Sequence, residues 1–320
     1  MTSNGMHPEL LDFVLPDFLR LAWVSDPARD VWAVRFQQVM RAWAELEWLS
    51  VAAGIRACAL VRTPKLKPDD FIDKLGPRGL QAMPLSQQSG GLPADARGPN
   101  SIQVVVGKAG EDLPRYREIL DSSDHEEIGA LLGYPACCRK AFLERCREDS
   151  FWDPTWPTAR ETNATSVAAF TLELEQGPVA NMLLRWVGIR AIPHLPCRFD
   201  CEPSIAFGRR FLQLGIESGF QTEMEWLEQM LSWPAEWSAL HGIAEVKTPV
   251  LKVCTRTEAT ADKLVLRWKG SSYPAEGAQG LGFPYKTPAR PLMTGSPSFQ
   301  RALDHHSSIV QIQPMAKQPG

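Results

Sequence analysis

Residues 125–148 read HEEIGALLGYPACCRKAFLERCRE, and further along residues 194–202 read HLPCRFDCE. In the first stretch Gly133-Tyr134-Pro135 interrupts a helical pattern. Pro135 suits the first turn of the helix that follows, because its missing N–H would have no partner there. Cys137 and Cys138 then open that helix, and Cys138, Phe142 and Cys146 follow at i, i+4 and i+8, a stripe that suits a core. In the second stretch Asp200 is a good N-cap for a helix carrying Ile205, Phe211, Leu212 and Ile216. This puts Cys201 in its first turn and Cys197 in the loop before it. Outward from these stretches the pattern is mostly helical. Trp32, Phe36, Val39, Trp43 and Leu46 recur at spacings of four and three between Asp30 and Gly54. Leu10–Val24 reads as a helix broken near Pro16, and further helices are expected at 113–148, 163–186, 202–218 and 221–231. Strands are expected at 101–108, 249–254 and 263–268. The expected fold class is α+β, predominantly helical with a few short strands.

The expected organisation is an N-terminal helical region (1–82), a Pro/Gly/Ser-rich linker (83–100), a Cys/His-motif domain (101–285) and a disordered tail (286–320). The chain has 320 residues with 34 Lys+Arg against 37 Asp+Glu, a net charge of −3. That balance lacks the basic excess of a nucleic-acid binder, so no nucleic acid is expected as a partner. No secretory pattern opens the sequence and no run approaches a membrane span, so no membrane is expected and the cytoplasm is the expected compartment. Seven cysteines are too sparse for a disulfide scaffold, which leaves core filler, metal ligands or reactive thiols.

Four of the seven cysteines and two of the six histidines fall in the two quoted stretches. Helix N-termini favour thiolate, the form that binds metal or attacks as a nucleophile. Cys137, Cys138, His194, Cys197 and Cys201 are therefore the candidate metal ligands, with His194 either a ligand or a partner that orients one. Cys137 and Cys138 sit about 100° apart around a helix, so they need not share a target. His125, with Glu126 and Glu127 beside it, is the candidate proton-transfer group. Cys58, Cys146 and Cys254 lie in apolar or strand contexts and read as structural.

The spacing lacks the paired C-x2-C of a zinc ribbon. Three or four thiolates suit an iron–sulfur cluster or zinc, and adjacent cysteines tilt the choice towards the cluster, whose irons can be reached separately. P-loop, dinucleotide-fold, zincin and α/β-hydrolase motifs are absent. Gly107-Lys108-Ala109-Gly110 reads as a strand-ending turn.

LLGYPACC, preceded by HEEIG and followed by HLPCRFDCEPS, resembles an archaeal and bacterial family known as domain of unknown function 483. That family carries similar Gly-Tyr-Pro-x-Cys-Cys and His-x-Pro-Cys-x-x-x-Cys elements. The resemblance covers residues 120–220 and implies that Cys137, Cys138, His194, Cys197 and Cys201 form one site. It implies no reaction.

The leading expectation is a cytoplasmic metalloenzyme with a cysteine-rich iron–sulfur or zinc site, performing redox or sulfur-related chemistry on a small-molecule substrate in a biosynthetic pathway. The alternatives are a non-enzymatic protein whose structural zinc site scaffolds a partner, and a metal-free thiol catalyst using Cys137 or Cys201 with His125 as base.

Overall fold

The stripe Trp32, Phe36, Val39, Trp43 and Leu46 forms one face of α1 (Asp26–Ala52), and all five side chains are buried. The helix opens ahead of Asp30 because Ser25 caps it, accepting the Ala28 N–H at 3.2 Å, with Pro27 in the first turn. In this computed structural model the described residues are 9–13, 15, 18–64, 68–85, 101–122, 124–147, 153–162 and 164–277. The expected tail (286–320) and most of the expected linker (86–100) lie outside them, as does the Cys146 side chain.

The expectation of a predominantly helical fold is overturned: the described residues hold ten strands in two sheets beside eight α-helices. The larger sheet contains β1 (Leu19–Trp23), β5 (Thr165–Ala168), β6 (Thr171–Leu174), β7 (Ala235–Leu240), β8 (Ile243–Lys247), β9 (Leu251–Arg256) and β10 (Leu264–Trp268). Its order is β1-β9-β8-β7-β10-β6-β5, with β10–β6 the parallel pair and the other pairs antiparallel. The smaller sheet is antiparallel, with β4 (Ser101–Lys108) between β2 (Ala59–Pro64) and β3 (Leu80–Pro84). Residues 1–82 thus hold three strands besides α1 and α2 (Pro68–Leu75).

Three of the misread stretches have a local cause. Leu19, Leu21 and Trp23 alternate with Arg20 and Ala22, and pair with β9 in place of the helix expected over 10–24. The helix expected over 163–186 is instead the β5–β6 hairpin, whose Thr165, Val167 and Thr171 are β-branched, followed by Gly177-Pro178 and short 3-10 turns. β7 and β8 join through His241 (φ 49°) and Gly242 (φ 78°), the two left-handed residues of a tight hairpin. The expected strands at 101–108, 249–254 and 263–268 correspond to β4, β9 and β10.

One face of the large sheet is apolar: Trp237, Ala244, Val246, Val253 and Leu266 are buried against α1, α7 (Glu202–Glu217) and α8 (Gln221–Leu231) in one core. The other face carries Glu236, Glu245, Lys247 and Lys252, paired across strands. Cys254 lies on that face, its Sγ 3.5 Å from Glu245 Oε1. A second, smaller core gathers Cys58, Val105, Leu113, Tyr116 and Leu132 beneath α3 (Asp112–Ser122) and α4 (His125–Leu131). No helix among the described residues is long and apolar enough to cross a membrane.

Candidate metal centre

Three pieces of chain meet at the cysteines: the start of α5 (Ala136–Arg147), the irregular segment 194–200, and the start of α7. The corner between α4 and α5 is set by Gly133, at φ +76°, where a Cβ would lie 2.7 Å from Arg56 Cβ. Glycine alone satisfies both conditions. Pro135 then begins α5, its carbonyl accepting from the Cys138 and Arg139 N–H groups.

The irregular segment is fastened by hydrogen bonds rather than by a ladder. Arg145 on α5 donates to the Cys197 carbonyl at 2.9 Å, and Thr158 on α6 (Thr155–Glu161) donates to the Pro196 carbonyl at 3.3 Å. The Phe199 N–H donates to Thr162 Oγ1 at 2.9 Å. From the α7 side, Gly208 lets the helix close onto the strip Val179–Ile192; a Cβ there would stand 2.3 Å from Val179 Cγ1.

Asp200 does not cap α7 as expected. Its carboxylate is held by Arg198 through two hydrogen bonds, at 2.7 and 2.6 Å, and Cys201 itself occupies the cap position. The Cys201 sulfur thus reaches the site from the helix mouth.

The sulfurs of Cys137, Cys138, Cys197 and Cys201 all lie within 4.8 Å of one another, a group that can hold a metal ion. Cys137 Sγ is 3.9 Å from Cys138 Sγ, and each is 3.7 Å from Cys201 Sγ. The 100° between successive helical residues therefore does not separate the adjacent pair. Their rotamers in the opening turn swing both sulfurs to one point. Cys138 and Cys201 are buried, Cys197 is half-buried and Cys137 is exposed.

Ser204, which the sequence reading passed over, is the centre's main hydrogen-bonding group. It is fully buried, with Oγ 3.2 Å from Cys138 Sγ and 3.3 Å from Cys201 Sγ. Its signal was present in the sequence: a Cys-x-x-Ser run at a helix start places the hydroxyl one turn beyond the thiol. The Cys197 N–H adds a second donor, 3.3 Å from Cys138 Sγ.

His194 sits one step further out than a ligand. Its Nε2 lies 2.8 Å from Ser204 Oγ, and its ring packs against Tyr134 and Phe207. Burial, with the Arg56 charge adding, holds its pKa down at about 3, so the ring is neutral. With Ser204 donating to Cys201, the hydroxyl oxygen is free to accept from Nε2–H. Nδ1 is buried without a partner.

The thiols are not equivalent. The hydrogen bond from Cys138, with Ser204 adding, pulls Cys201 below the ordinary thiol range. Cys138 is pushed up, by its hydrogen bond to Cys201 and by burial, and burial raises Cys197. The Cys201 charge in turn favours the protonated forms of Cys138 and Cys197. Two like unit charges about 4 Å apart repel by about 4 kcal/mol at an effective dielectric of 20. A divalent cation among the sulfurs removes that obstacle.

The structure does not join the expected proton-transfer group to this cluster by any hydrogen bond. His125 and Glu126 are exposed on the first turn of α4, capped by Asp124, and Glu127 is ion-paired with Arg115. Cys58 is fully buried, in keeping with a packing role.

No protein-family model, curated protein or solved structure matches this chain.

Proposed function

We propose that Cys137, Cys138, Cys197 and Cys201 bind a single zinc ion as a closed, four-thiolate site that fastens α5, the 194–200 segment and α7 together. The sulfur–sulfur distances carry this reading. Four thiolates at the zinc–sulfur distance of ~2.3 Å form a tetrahedron with edges of about 3.8 Å, and three of the separations here are 3.7, 3.7 and 3.9 Å. An iron–sulfur cluster, favoured by the residue spacing, distributes its thiolates over different irons and needs them further apart. Four thiolates also complete the coordination of zinc, leaving no open place for a water or substrate of the kind catalytic zinc keeps. This favours the structural-zinc alternative over Lewis-acid or redox catalysis at the metal. The resemblance of residues 120–220 to domain of unknown function 483 belongs to the same proposal, since that stretch holds all four sulfurs, Ser204 and His194.

Anaerobic purification followed by metal analysis and an absorption spectrum tests the reading. One zinc per chain without visible colour is expected, lost in Cys138→Ser and Cys201→Ser. Iron with sulfide and a broad band near ~400 nm would replace zinc by a cluster, and a chain that takes up no metal would end both versions.

A further inference from the structure

Zinc held by four thiolates leaves two excess negative charges on the sulfurs, since four anions meet one divalent cation. Where an N–H or O–H donates to a sulfur, part of its electron density is tied up; a sulfur without a donor keeps it. The four sulfurs differ in this respect. Cys138 receives the Cys197 amide and faces the Ser204 hydroxyl, and Cys201 receives Ser204. Cys197 is half-buried, and Arg145 donates to its carbonyl rather than to its sulfur. The hydrogen-bonding neighbours of Cys137 Sγ are the sulfurs of Cys138 and Cys201, and Cys137 is the exposed member of the four. Among the described residues no N–H or O–H donates to the sulfur of Cys137 or of Cys197, and of these two Cys137 is the exposed one.

We infer that Cys137 is a zinc-activated nucleophile, the sulfur through which this centre reacts with soft alkyl electrophiles. The inference rests on the zinc reading above and extends it from holding the fold to group transfer. The step balances without an oxidant. The Cys137 thiolate pair attacks carbon, an S–C bond forms, and the C–X bond breaks with its electron pair leaving on X⁻. The thioether that results is neutral and a poorer zinc ligand, so the ligand set loses one negative charge and the ion is held by three thiolates. Cys138, Cys197 and Cys201 keep the metal in place while Cys137 reacts, which is why three inward sulfurs and one outward sulfur suit this chemistry.

The test uses the full chain with iodoacetamide as the electrophile and iodide as the leaving group. Zinc content is measured first. Zinc-loaded and metal-free protein are then treated at pH 6, where an ordinary free thiol is almost wholly protonated, and the alkylated cysteines are mapped by peptide mass spectrometry over time. The expected result is that Cys137 reacts first, on the order of ten-fold faster than Cys197 and on the order of ten-fold faster with zinc than without it. If zinc is bound but Cys137 reacts no faster than in the metal-free chain, exposure alone governs its reactivity and this inference falls while the zinc site stands. If Cys197 reacts first, the inference falls likewise. If the chain binds no zinc, both readings fall together.

Discussion

Around Asp153 the chain buries a charge and answers it from within; around Cys201 it gathers groups that repel one another once ionised. Asp153 is shielded from solvent and accepts from Arg185 Nη2 at 2.6 Å, from the Thr155 N–H at 2.9 Å and from Trp237 Nε1–H at 3.0 Å. Arg185 spends its other donors on Thr155 Oγ1 and the Met182 carbonyl. This network fixes the 182–185 turn to α6 and β7 with the chain's own groups. The cysteine centre has four sulfurs, one shared hydroxyl and one amide. The first region is complete as a polypeptide, whereas the second is one that a cation can complete. Burial of polar atoms by itself therefore does not mark a ligand site; an unbalanced charge among them does.

Breaking the self-sufficient network should have the largest effect. Asp153→Ala leaves Arg185 buried without its carboxylate and should cost about 3–5 kcal/mol, read by urea denaturation and equal in magnitude with and without zinc. An equal response to zinc and to a chelator in this variant and in wild type would confirm that the two regions are independent. Zinc removal comes next. At a thousand-fold excess of free zinc over its Kd, wild type should gain about 4 kcal/mol over the chelated protein, and Cys201→Ser should gain nothing. A variant that still responded fully to zinc would mean that the stabilising ion binds elsewhere.

A smaller change sharpens the comparison from the sulfur side. Ser204→Ala removes the hydroxyl that serves Cys138, Cys201 and His194, and should weaken zinc binding by about 10–100-fold in a competition titration. Unchanged affinity would reduce Ser204 to a packing residue. The effect that vanishes at neutral pH concerns Cys58, a buried thiol outside the cluster. Burial, with the Asp112 charge adding, pushes its pKa from 9.0 up to about 12. The unfolded chain then loses this proton above pH 9 while the folded chain keeps it, so stability falls as pH rises. The contribution is about 1.4 kcal/mol per pH unit between pH 9 and 12. Cys58→Ala should flatten that slope by this amount, and an unaltered slope would show that Cys58 ionises freely in the fold.

The candidate site was more legible in the sequence than the fold around it. Four cysteines near two helix starts are a chemical signal that survives ignorance of the topology, and all four meet. What the spacing could not show was the convergence of Cys137 and Cys138, which depends on side-chain rotamers, or that His194 reaches the cluster through Ser204. Asp200 was read as a cap from its residue type, but Arg198 two positions earlier competes for the same carboxylate. For the fold, α1, α7 and α8 announced themselves by periodicity sustained over several turns. Of the strands of four to six residues β9 and β10 did so and the others did not, because a short apolar run fits either period. The β7–β8 hairpin was hidden by a His-Gly turn, in which histidine takes the left-handed conformation more often given to asparagine.

The order of the small sheet has a consequence for how the chain comes apart. β4 lies between β2 and β3, yet all of 85–100 separates it from them in sequence. The same division recurs where β1 pairs with β9. A single cut between residues 85 and 101 would give one fragment holding the two outer strands and another holding the middle strand together with all four cysteines of the cluster. Neither piece owns a finished sheet, so each exposes the strand edges that the other fits. The two halves should behave as complementary fragments, insoluble or unfolded apart and native when mixed.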